Sequence, residues 1–135
     1  MNKYLAKIIA NDQEGLRMIS ACSSGAKVKI VDIKYLESSK VFLLSIERTK
    51  VETDQEDKKI NSICRFDFVD KVRSKNINQS NKDLILELIG IDYLKNNDDY
   101  EINLIFDNNA HIALTTETIE ARLEDQNEIK KLWKY

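Results

Sequence analysis

The sequence predicts a single α+β domain over residues 1–135. Its expected architecture is a mostly antiparallel curled sheet or partly open barrel, similar to pleckstrin-homology-like barrels, with an early helix and a closing C-terminal helix. Three observations carry this expectation. The chain has 135 residues, one domain's worth, and neither a repeat nor a linker divides it. Short alternating apolar runs separated by polar turns fill its middle, as antiparallel strands do. Helical spacing of apolar residues is confined to the two ends.

Residues 5–9 read as a short first strand. Asn11 and Glu14 then form a capping box for a helix over residues 12–24, with Leu16, Ile19 and Cys22 as its apolar stripe and Gly25 just beyond its end. Val28 and Ile30 alternate, and the phase shifts at Val31 to give Val31, Ile33 and Tyr35, which predicts a bulge or bend near Asp32. A turn at residues 37–40 precedes a strand at 41–48. Residues 49–59 form an acidic loop. Strands at 60–68 and 69–74 meet at a corner, and a polar loop covers 75–82. Residues 84–93 are apolar on both faces and so belong in a central strand, closed by a turn at 95–99. The last hairpin can be placed in register: a three-residue turn, 107–109, pairs Leu104 with Ile112 and Ile102 with Leu114, keeping their apolar side chains on one face. Thr115 or Thr116 then caps the closing helix, with Ile119 and Leu123 facing inward.

Composition excludes several functions. With 21 Lys+Arg against 23 Asp+Glu the net charge is -2, so the basic excess of a nucleic-acid binder is missing and nucleic acid is disfavoured as a partner. The longest apolar runs are four residues, against about 20 for a membrane span, so no membrane association is expected. Three scattered glycines build no phosphate-cradling loop. One histidine and two cysteines supply neither a metal site nor a secreted disulfide framework, so no metal and no cofactor are expected, and a reducing cytoplasm is the expected compartment.

The chain resembles a bacterial domain-of-unknown-function family of single-domain cytoplasmic proteins of about this length. The likeness rests on Ile8-Ile9-Ala10 leading into residues 12–20, on Asp32 with Tyr35-Leu36, and on residues 42–48. It continues through Arg65-Phe66-Asp67, Val72-Arg73-Ser74 and Leu86-Glu87-Leu88 to Leu104, Phe106, Ile112, Leu114 and Ile119-Glu120-Ala121. The resemblance implies no established reaction, ligand or catalytic residue.

Candidate chemistry is sparse, and no catalytic residue is named. Arg48 shares a strand face with Phe42, Leu44 and Ile46, and Glu87 interrupts an apolar run; they read either as a base and acid in a pocket or as ion pairs at the core edge. Arg65 and Arg73, with Asp67, cluster near the corner at residues 66–74. They suit an anionic ligand or a partner's carboxylates, or else a solvated face pinned by a local Arg–Asp bond. His111, opposite Ile105, lacks any base–orienter–nucleophile set. In the C-terminal stretch, Ile129, Leu132 and Trp133 share one helical face. That segment, with Leu132, Trp133 and Tyr135 as the contact residues, is expected to dock on the domain itself or to meet a protein partner or second copy. The function expected is a non-catalytic binding or protein-interaction module. The alternative is a small-molecule (anionic ligand) binding protein or small enzyme with a pocket near Arg48, Arg65, Arg73 and Glu87.

Overall fold

A computed structural model describes residues 5–49 and 59–126. The chain runs β1 (Lys7–Ala10), α1 (Gln13–Ser23), β2 (Ala26–Lys29), β3 (Ile33–Leu36), β4 (Val41–Thr49), β5 (Lys59–Phe66), β6 (Val69–Lys75), β7 (Ile85–Asn96), β8 (Asp99–Phe106), β9 (His111–Thr116) and β10 (Ala121–Asp125). All pairings are antiparallel, and the strands lie in the order β1-β10-β5-β4-β2-β7-β8-β9-β6, with β3 beside the first half of β4. The acidic stretch 50–58, between β4 and β5, lies outside the described residues.

Helix α1 forms where its apolar stripe predicts it, and Leu16 and Ile19 are buried. Its cap differs by one residue. The Asp12 carboxylate, not Asn11, accepts from the Gly15 N–H at 2.8 Å, because Asp12 is the last residue with extended backbone. Gly15 is required by close packing: a Cβ there would stand 2.8 Å from the Ala10 Cα. The helix end is tied to a bulge in β7. Ser20 Oγ accepts from the Ile91 N–H at 2.9 Å, Ser24 Oγ donates to the Ile89 carbonyl at 3.0 Å, and the ladder to β8 slips between Leu88 and Gly90. The phase shift near Asp32 is one 3-10 turn, Ile30–Asp32, separating β2 from β3.

The last hairpin has the register that its hydrophobic pattern predicts, with Leu104 opposite Ile112 and Ile102 opposite Leu114. Asn108 and Asn109 both take the left-handed conformation, with φ of 58° and 61°. Asparagine tolerates that region because its short polar side chain bonds locally.

The closing helix requires correction. Residues 121–125 form strand β10, paired with β1 on one side and β5 on the other. Ile119 and Leu123 are buried as expected, but so are Ala121 and Asp125, while Glu120, Arg122 and Glu124 are only half-buried. That is a period of two, and a spacing of four satisfies a strand as well as a helix. With a strand in its place, the likeness to pleckstrin-homology-like barrels loses the element it rested on.

The sheet is open but strongly curled. Between β4 and β6 lie β2, β7, β8 and β9, a path of roughly 24 Å in a flat sheet at about 4.8 Å per strand. Yet the Val69 N–H, at the start of β6, donates to the Lys40 carbonyl just before β4 at 2.8 Å. Inside the curl, one core joins Leu16 and Ile19 of the helix to Val28, Phe42, Leu44, Phe66, Leu88, Ile102, Leu104, Leu114 and Leu123. No described helix is long and apolar enough to cross a membrane.

Candidate functional site

Curling the sheet leaves two free edges facing each other. Among the described residues β3 pairs only with β4, and β6 only with β9. At one end these edges are pinned together: Tyr35 Oη donates to the Val69 carbonyl at 2.7 Å, and Lys40 Nζ stands 2.9 Å from the Asp70 carboxylate. Away from the pin the edges diverge into a cleft of about 440 Å³, lined by Ile33, Lys34 and Tyr35 on one wall and Val72 and Ser74 on the other. Phe42 and Ile112, both core residues, contribute to its lining. Ile77, Gln79 and Lys82 come from the loop at 76–84, which is held back against β6 by a 2.9 Å bond from Gln79 Nε2 to Ser74 Oγ. The volume falls within the range of roughly 300–1,000 Å³ typical of small-molecule sites.

The chemistry of this lining is simple. Among the described residues it holds isoleucines, valines and Phe42, the hydroxyls of Tyr35 and Ser74, the Gln79 amide, and two cations, Lys34 and Lys82. No Asp, Glu, His or Cys is among those described lining residues. Burial, first, and the negative charges of Glu37 and Asp70 raise the Tyr35 phenol, opposed by Lys40, so it stays protonated and donating.

The residues singled out from sequence lie elsewhere, each with its own partner. Arg48 is wholly buried and grips Asp125 with two bonds, Nε to Oδ1 at 3.0 Å and Nη2 to Oδ2 at 2.8 Å. The same carboxylate accepts from Ser62 Oγ at 2.6 Å and from the Ala6 N–H at 2.8 Å. Burial pushes the Asp125 carboxyl up, but those hydrogen bonds and the Arg48 charge outweigh it and hold it below the ordinary carboxylate range. Glu87 meets Lys27 across the strand pair at 3.4 Å on the exposed face. Arg65 bonds Asp67 at 3.0 Å, pinning the corner, and Arg73 bonds Glu101 at 2.7 Å. None of the four lines the cleft. His111 is half-buried opposite Ile105, its Nε2 2.8 Å from Asn103 Oδ1. Leu132, Trp133 and Tyr135 lie outside the described residues. No group of three or more His, Cys, Asp or Glu suited to a metal occurs among the described residues.

Sequence reasoning missed Asp125 and the cleft. Asp125 had a signal, since it continues the alternation Ile119, Ala121, Leu123 on the inward side. The cleft had none, because its walls are about forty residues apart and meet only through the curl of the whole sheet.

No curated protein and no solved structure matches the chain. One family model does, described as a protein of unknown function (DUF2948), and it covers residues 6–133. With nearly the whole length matched, the chain belongs to the DUF2948 family.

Proposed function

We propose that this protein is a non-catalytic binding module whose ligand enters the cleft between β3 and β6, acting in a bacterial cytoplasm. The observation that carries the reading is the cleft itself: core side chains, Phe42 and Ile112, reach a surface opening between two sheet edges that no further described strand covers. A ligand seated there removes apolar surface from water without any rearrangement of the core. Catalysis finds little to work with, because the described lining offers neither a carboxylate nor an imidazole to move a proton. Arg48, Arg65, Arg73 and Glu87 lend the alternative site less support, since each is engaged with a different partner.

Amide NMR spectra recorded against a mixed library of small organic fragments test the reading. Binding fragments should shift resonances of residues 30–35, 72–79 and 112 together. They should lose that effect in Val72→Trp, which fills the cleft from a half-buried position. Fragments that bind only elsewhere, or none that shift these residues at millimolar concentration, would sink the reading.

A further inference from the structure

The lining also bears on what the ligand is. We infer that the cleft takes a small amphipathic anion, with its apolar body on Phe42, Ile33, Val72 and Ile77 and its charged head between Lys34 and Lys82. The inference rests on the cleft being the binding site and adds the class of ligand.

Three features of the lining lead there. Both charged side chains of the described lining are lysines, and both are exposed, so they stand at the rim while Phe42 and Ile112 lie deepest and Ile33, Val72 and Ile77 are half-buried. An anion at the rim gains from both charges, whereas a cation entering the same opening is repelled by both. Lysine suits this position because its aliphatic stem covers apolar surface while the ammonium stays in water.

A wholly polar ligand, such as a sugar, is disfavoured because it would desolvate its hydroxyls against isoleucine and phenylalanine with few partners to replace the water. An extended peptide fits poorly for a different reason. A strand pairing with both edges would have to run past the point where Val69 bonds Lys40 at 2.8 Å and Tyr35 at 2.7 Å, and there the edges are already joined. β3 itself is only four residues long. A compact molecule with one charged end and one apolar end meets every wall of this cleft.

Octanoate, 1-octanol and octyltrimethylammonium share one chain and differ in head charge, so titrating each into the full-length protein separates the two ideas. At low ionic strength octanoate should shift the cleft amides with an affinity about tenfold above that of octanol, as two rim charges of ordinary strength provide. Octyltrimethylammonium should bind more weakly than octanol. In the variant carrying both Lys34→Met and Lys82→Met, the preference for octanoate over octanol should fall to about twofold or less while octanol binding persists. Salt at about 1 M, where screening acts beyond roughly 3 Å, should erase the preference in the unmodified chain. Equal binding of octanoate and octanol overturns the anion inference but leaves the cleft as the site. If no probe shifts the cleft amides, or if shifts map elsewhere, both the inference and the binding reading fail.

Discussion

Arg48 shows how much a single side chain can commit a fold to. A guanidinium with no exposed surface is tolerable only if its charge and its N–H groups are matched, and Asp125 and Ser62 both take part in that matching. Removing either member breaks a buried ion pair, so Arg48→Met or Asp125→Leu alone should cost about 3–5 kcal/mol in urea unfolding. The double variant should cost clearly less than the sum, since both charges leave together. Additive losses would mean that the pair carries no coupling. The pH dependence follows from the same contact. The Asp125 carboxyl is held below its unfolded value of about 3.9, so its stabilisation is complete above that value and is lost as pH falls through the lower, folded one. Asp125→Asn should therefore flatten the acid limb of stability below about pH 4. Phe68 is the opposite case, a residue that the backbone tolerates poorly. It sits at φ 59° and is 46% exposed, holding the left-handed corner between β5 and β6. A bulky residue there costs about 1–2 kcal/mol, so Phe68→Asn should raise stability in urea unfolding by about 1 kcal/mol. A loss instead would show that the ring has a packing role that outweighs the strain.

Strand and helix were legible wherever the apolar spacing fitted one period only. The hairpin of β8 and β9 could be registered from sequence because a one-residue slip would have thrown Ile112 and Leu114 to the wrong face. Helix α1 was readable from Leu16 and Ile19, although its cap is the Asp12 carboxylate rather than the Asn11 expected. The segment 119–125 was not, because Ile119 and Leu123, four apart, suit both periods, and the threonines before them resemble a cap. The run Ile119, Glu120, Ala121, Arg122, Leu123, Glu124 alternates apolar with charged throughout, and that alternation marks the strand. Its pairing adds a test of its own. Arg122 on β10 lies directly opposite Arg65 on β5, a like-charged pair. Arg122→Thr should relieve the repulsion and favour the extended backbone, raising stability by about 0.2–1 kcal/mol. A helix at this position would respond in the other direction, because arginine is the better helix former.

At the scale of the whole molecule the open sheet is held in its curl by contacts between distant parts of the chain, which is why neither the curl nor the cleft could be read locally. β1 pairs with β10 and β10 with β5, so strands from both ends of the sequence lie side by side at one end of the sheet, with Lys7 opposite Glu124. Cys64 reports on that region. It lies on β5 between Leu44 of β4 and Leu123 of β10, with 1% of its surface exposed, and burial pushes its thiol up to about 12, with Arg48 opposing and Asp125 adding to the effect. A buried thiol with so little thiolate is inert to a disulfide reagent near neutral pH. Cys22, half-buried on the helix, lacks that depth of cover. The expected outcome is one thiol labelled in the native protein and two in urea, with the second labelling rate at intermediate urea tracking global unfolding measured by circular dichroism. Agreement of the two would show that β4, β5 and β10 part only when the domain unfolds as a unit. If Cys64 instead labels readily at low urea, β10 detaches on its own, and the Arg48–Asp125 pair must open with it.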